Sequence, residues 1–149
     1  MSNYAVINSN TNICDNIIVL DEGSTWTPPE MHYIVNIDDG QGGIFCHYDP
    51  ATQVWTDPPY ISASFNPSPI LTGQTTTLSW DAGAATEVRL SSQGTTPYPA
   101  VGSINYAYAT AGIKNEIIFA DWVGGTVSYT CSVRVVVAQA ELNDGPVVV

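Results

Sequence analysis

The dominant pattern along the chain has a period of two. It is cleanest in the C-terminal part. YISASFN at 60–66 sets Ile61, Ala63 and Phe65 against Ser62, Ser64 and Asn66. TTTLSW at 75–80 sets Leu78 and Trp80 against Thr77 and Ser79, and TEVRLS at 86–91 sets Val88 and Leu90 against Glu87, Arg89 and Ser91. SINYAYA at 103–109 lines up Ile104, Tyr106 and Tyr108. TVSYTCSVRVVV at 126–137 places Val127, Tyr129, Cys131, Val133, Val135 and Val137 inward, with Ser128, Thr130, Ser132 and Arg134 outward. Successive side chains of a strand point to opposite faces, so each run predicts a half-buried strand. NEIIFADW at 115–122 is apolar on both faces, as a central strand is, and VGG at 123–125 reads as a hairpin turn. Roughly six or seven such strands in about 80 residues predict a β-sandwich.

The N-terminal part reads as a short antiparallel meander. YAVI at 4–7 is strand-like, and NSNTN at 8–12 is a turn cluster. ICDNIIVL at 13–20 is a second strand, with Ile13, Ile17 and Val19 on one face and Cys14, Ile18 and Leu20 on the other. HYIVNI at 32–37 and GIFCHYD at 43–49 are the next two, joined by the glycine-rich turn DDGQGG at 38–43. An Asp49-Pro50 turn leads to QVWT as a last short strand. A meander this small is marginal by itself and is expected to lean on a partner. Apolar groups on both faces of 13–20 fit one face for the core and one for an interface.

Charge sharpens the division. Residues 1–59 hold eight acids and no Lys or Arg, whereas 60–149 hold six acids and three bases, so the net charge of −11 splits into −8 and −3. Pro58-Pro59 sits on the shift and favours a stiff extended link. Two domains follow, a docking β-module at 1–59 and a sandwich at 60–149. In the segment 140–149, Gly-Pro precedes three valines, which are expected to cap an edge or reach a neighbour.

With only Arg89, Lys114 and Arg134 positive, the chain lacks the clustered bases that phosphate backbones or anionic lipid surfaces require. Neither nucleic acid nor a membrane is expected as a partner. No run reaches the roughly 18 apolar residues of a membrane span. MSNYAVINSN lacks the basic start and apolar core of a signal segment, so synthesis in a cytoplasm is expected. Cys14, Cys46 and Cys131 are scattered and odd in number, which predicts buried thiols rather than a disulfide framework. His32 and His47 have no zinc-like spacing, and no metal or other cofactor is expected.

A phrase occurs twice: STWTPPE at 24–30 and TQVWTDPPY at 52–60. Trp26 and Trp55 read as core or interface anchors at strand ends, and Pro28 and Pro58 each begin a rigid step that turns the chain outward. With Ile18 and Leu20 these residues form the expected interface set. The rival reading is a polyproline ligand, for which two-proline runs are short.

Residues 61–137 resemble a bacterial or phage immunoglobulin-like domain. The resemblance rests on FNPSPILTGQTTTLSW, on ATEVRLSS and on the closing IIFADWVGGTVSYTCSVRVVV. It implies a sandwich whose core is filled by Trp80. The cysteine pair of antibody domains is missing, since only Cys131 lies in this unit. Residues 4–59 resemble small modules of tailed-phage virion proteins, through YAVIN, CDNIIVL, WTPP, HYIVNI and YDPATQVWTDPP. Where such modules carry a small Gly-Trp-type strand, this chain has GIFCHYD. The fold class expected is therefore all-β, a short antiparallel meander followed by an immunoglobulin-like β-sandwich.

Catalytic signatures are missing. There is no GxSxG, no phosphate-binding loop and no zinc pattern. His47 and Asp49 share a strand face, but Cys46 points to the other. Asp38-Asp39-Gly lacks the spacing of a calcium loop and reads as a turn. Tyr98, Tyr106, Tyr108 and Trp122 are candidates for stacking on a sugar or for ordinary core and interface duty.

The expectation is a non-enzymatic structural protein of a tailed-phage virion, made in the host cytoplasm. Its place is most simply the capsid surface, as a decoration protein bound to the major capsid protein or another virion protein, with self-association possible. A tail-fibre or baseplate component and a carbohydrate-binding module are the alternatives.

Overall fold

A computed structural model describes residues 1–138, and the segment 140–149 lies outside them. The described residues are all-β, with one 3-10 turn at Ser91–Gln93 and no α-helix. The strands are β1 Ser2–Asn8, β2 Cys14–Leu20, β3 His32–Asn36, β4 His47–Asp49, β5 Val54–Thr56, β6 Ser62–Asn66, β7 Ile70–Leu71, β8 Thr75–Asp81, β9 Glu87–Leu90, β10 Val101–Ala107, β11 Gly112–Trp122 and β12 Gly125–Val136. They divide into two compact units. The first comprises Met1–Pro59 with Ala84–Thr86 and Asp121–Val127, and the second comprises Tyr60–Gly83, Glu87–Ala120 and the described chain from Ser128.

In the first unit β1 lies between β2 and β3, antiparallel to both. Ala5, Ile7, Cys14, Ile37 and Tyr48 form its core, with Tyr33, Val35 and Trp55 packed against them. Full burial of a side chain such as Ile7 contributes about 2 kcal/mol. One expectation of strict alternation fails here. The register slips between Val6 and Ile7, so that Val6 opposes Asn16 while Ile7 opposes Cys14. The irregularity moves Cys14 into the core beside Ala5 and Ile7, away from the face of Ile18 and Leu20. The strand predicted at 43–49 is also shorter. Only His47–Asp49 is strand, because Phe45 adopts φ 70° and Cys46 N–H bonds back to the Gly43 carbonyl at 3.1 Å.

The repeated Trp-Thr-Pro phrase takes two forms. Trp55 stands 4.8 Å from Tyr48, ring to ring, and the backbone of Gly42 lies on its indole so closely that a Cβ there would come within 2.5 Å. Asp57 accepts a 3.1 Å bond from the Cys46 thiol, which ties down the chain just before Pro58-Pro59. Trp26 instead sits in the β2–β3 connection and is 37% exposed. The second copy of the phrase builds core, and the first leaves its indole at the surface.

The second unit is a two-sheet β-sandwich. One sheet runs β10-β8-β6 and the other β7-β12-β11-β9, with β7 parallel to β12. Phe65, Leu78, Trp80, Val88, Leu90, Ile118, Cys131, Val133 and Val135 are buried, as their alternation predicts. The Trp80 indole N–H donates to the Pro99 carbonyl at 3.1 Å, and a Cβ at Gly102 would come within 2.6 Å of the ring. That glycine leaves room for the indole to lie against β10. Tyr129 and Val137, expected inward, are exposed. A hairpin with strands of 11 and 12 residues outruns a facing sheet whose longest strands have 7.

Alternation also sends Glu116 into the sandwich between Ile118 and the start of β11, where it is 1% exposed. It is held there by donors from three places. Ser91 O–H donates at 2.6 Å, Ser92 N–H at 2.9 Å and Tyr106 O–H at 2.8 Å, and the Ser92 hydroxyl donates to the second carboxylate oxygen. Burial pushes the Glu116 carboxyl up, but the donated bonds outweigh it and the net shift is downward. Because Tyr106 is on β10 and Glu116 on β11, this charge clasps the two sheets together where the sequence has no cysteine pair.

Candidate functional site

The β4–β5 hairpin determines what the first unit presents outward. Its register pairs His47 with Thr56, Tyr48 with Trp55 and Asp49 with Val54. Tyr48 and Trp55 turn into the core, so His47, Asp49, Val54 and Thr56 point the other way. With Thr52 these four form one wall of a cleft of about 350 Å³, and Ala84, Thr86, Trp122 and Val123 contribute the rest. That volume lies at the lower end of the range for ligand pockets, about 300–1,000 Å³.

Local bonds fix both walls. Asp49 Oδ1 accepts the Ala51 N–H at 2.9 Å and the Thr52 N–H at 3.4 Å. The Ala51 bond, then the bonds from Thr52, hold the Asp49 carboxyl below the usual carboxylate range, so it is ionised at neutral pH. Thr86 donates both its N–H and its hydroxyl to the Asp121 carbonyl, at 2.8 and 3.0 Å, and Thr126 O–H donates to the Asp121 carboxylate at 2.6 Å. Gly124 lies so close to Trp122 that a Cβ would fall 2.4 Å from indole Cζ2 and 2.7 Å from Ile13 Cδ1. The indole is held by backbone, and it also lines a second recess of about 350 Å³ with Ile13, Phe45 and Pro58.

The expected interface residues are dispersed. Ile18 and Leu20 are half-buried on β2, an edge strand, while their neighbours Ile17 and Val19 are exposed. Trp26 is at the surface, Pro28 and Pro58 are half-buried, and Trp55 is built into the core. Of this set Pro58 lines the second recess, while Leu20 and Trp55 line separate, more polar recesses of about 340 and 290 Å³. The structure instead exposes Phe45, Val54 and Val123 around Trp122. Their signal in the sequence was weak: Val54 and Phe45 sit in segments that also supply core residues, and Val123 belongs to a turn.

The tyrosine and tryptophan set is not gathered into one platform. Tyr106 and Tyr108 stack at 5.9 Å, Tyr98 packs edge-on against Trp80 at 5.6 Å, and Trp122 belongs to the other unit. Asp38 and Asp39 serve as turn caps, accepting the Asn3 N–H at 2.7 Å and the Gln41 N–H at 3.1 Å. Cys46 faces away from His47. Burial, then Asp57, pushes its thiol up to about 11, so it carries no thiolate at neutral pH. Among the described residues no three His, Cys, Asp or Glu side chains gather as a metal-ligand group.

His32 is the other titratable feature. Its Nε2 lies 2.8 Å from Asp15 Oδ2 and its Nδ1 2.9 Å from the Glu30 carbonyl, and these contacts raise its pKa. Both ring nitrogens are engaged, and the pair ties β3 to the start of β2.

No family model matches this chain, and no curated protein matches it in sequence.

Proposed function

We propose that the chain is a non-enzymatic structural protein of a tailed-phage particle, a decoration protein that docks onto the capsid surface through its first unit. The observation that carries this reading is the outward face of that unit. Exposed Phe45, Val54 and Val123 surround Trp122 on a unit whose residues 1–59 hold eight acids and no Lys or Arg. Exposed apolar anchors on an otherwise polar surface are the make-up of a protein docking surface. The acidic surplus of residues 1–59 favours a basic partner and steers its approach. Many equivalent sites on a symmetric shell then multiply a modest affinity.

The test is to locate the chain on the tailed-phage particle whose genome encodes it, with an antibody and by quantitative mass spectrometry. Label over the shell, at on the order of hundreds of copies, supports the reading. Label on the tail, at roughly six to a few dozen copies, transfers it to a fibre or baseplate component. Purified particles without the chain overturn both.

A further inference from the structure

We infer that the cleft between the β4–β5 hairpin and Trp122 receives an arginine side chain from the partner protein. This inference names the partner chemistry at the surface just proposed, and it rests on that reading for its biological setting.

Three features of the cleft select the ligand. The Asp49 carboxylate lines the cleft and is ionised, and the Ala51 and Thr52 N–H groups on Oδ1 with one further bond from the Thr52 side chain leave part of its acceptor capacity of about four bonds for a guanidinium. Trp122 supplies an indole, the ring type that attracts cations best, and Gly124 holds it in place. Val54 and Val123 offer apolar wall to the three-carbon stem of the side chain. Thr52 and Thr56 add hydroxyls that can accept further N–H groups.

Other ligand classes fit less well. An anion would meet Asp49 without any Lys or Arg in the cleft. A quaternary ammonium is normally enclosed by several aromatic rings, and here there is one. A neutral sugar would also stack on Trp122 and donate to Asp49, but it carries no charge for the carboxylate to attract at a distance, and the pyranoside in the test separates it from arginine. Lysine carries the same charge as arginine, but its compact, strongly hydrated head neither stacks flat on an indole nor forks onto a carboxylate. The surplus of acids over bases in residues 1–59 favours a basic partner in the same sense.

The test titrates the 15N-labelled full chain with N-acetyl-arginine amide, its neutral isostere N-acetyl-citrulline amide, N-acetyl-lysine amide and a methyl pyranoside. The expected result is saturable shifts of the Trp122 indole N–H and the Val123 and Asp49 amides by the arginine compound. Citrulline should bind at least about tenfold more weakly, because hydrogen bonds to a charged group are the stronger ones. Asp49→Asn keeps an oxygen for the Ala51 and Thr52 amides and should weaken arginine binding by a similar factor. Val123→Lys places a cation at the rim of the cleft on an exposed turn and should do the same, so the result does not hang on one variant folding. Asp39→Asn, a turn cap elsewhere in the unit, should change nothing. Equal response to citrulline, shifts confined to other sites, or a response to the pyranoside alone would overturn the inference. Two further outcomes separate it from the docking reading. Particle attachment undiminished in both cleft variants sinks the arginine pocket alone. Arginine binding by a chain that attaches to no particle sinks the docking reading alone.

Discussion

The Tyr106 hydroxyl donates a 2.8 Å hydrogen bond to the Glu116 carboxylate, and through that bond a strand of one sheet holds a buried charge on a strand of the other. With the Ser91 and Ser92 donors, every oxygen of the buried acid is satisfied without a cation. A satisfied network of this kind rigidifies a core, and one missing partner leaves a charge stranded.

Removing a single donor should therefore matter more than an average hydrogen bond. Tyr106→Phe is expected to lower the unfolding free energy by about 1.5–3 kcal/mol, and Glu116→Gln by a similar amount. A double variant should lose less than the sum of the two, because each substitution removes the same charge-assisted bond. Urea unfolding of the four proteins measures the coupling. Strict additivity would mean that the clasp contributes nothing as a pair.

The same network predicts how stability responds to pH. Glu116 is held below its ordinary value in the fold, so its contribution is present above the unfolded carboxylate pKa, near 4.5, and is lost as pH falls through the folded value. Tyr106 runs in the opposite sense. Burial first, with Glu116 adding to it, pushes its phenol up to about 12 against an ordinary 10, so stability should fall as pH rises between those values. His32 behaves like a raised base: its contribution is present below pH 6.5 and lost as pH rises through its folded pKa. Imidazole NMR titration should place the His32 midpoint above its ordinary value, and Asp15→Asn should bring it down.

Gly42 and Gly40 provide a matched comparison of space against backbone conformation. Both have positive φ, 81° and 77°, but only at Gly42 would a Cβ strike the Trp55 ring. Gly40→Ala should cost about 1–2 kcal/mol for the left-handed backbone alone. Gly42→Ala adds overpacking of about 1–3 kcal/mol and should also perturb the Trp55 environment, which fluorescence and the melting temperature report together. Equal costs would show that the indole moves aside freely.

All three thiols should be slow to react. Burial pushes Cys14, Cys46 and Cys131 upward, so thiolate is scarce at pH 8. A disulfide reagent should label none of them rapidly in the folded chain and all three in urea. Fast labelling of Cys46 in the folded state would show that its tie to Asp57 is open in solution.

Much of the sandwich was legible because one face of each strand is wet. Leu78 and Trp80, Val88 and Leu90, and Cys131, Val133 and Val135 are buried where their alternation put them. Glu116 was not legible: a carboxylate at an inward position reads as an exception, and its serine and tyrosine donors lie 10 to 25 residues away in sequence. The slip at Val6–Ile7 is likewise silent, since one extra residue changes faces without changing composition. The cleft was half legible. His47 and Asp49 follow from strand alternation, but their meeting with Trp122 depends on tertiary structure that no spacing encodes.

The central claim is that an acidic β-protein works by attaching its first unit to a basic virion surface. The most direct measurement is co-sedimentation of the purified full chain with particles lacking it, across a range of salt. The account predicts saturable binding that weakens as salt screens the acidic charge of residues 1–59, and that weakens further when Phe45, exposed beside Trp122, is changed to Ser. A chain that stays in the supernatant at every salt concentration, with particles intact and in excess, would contradict it.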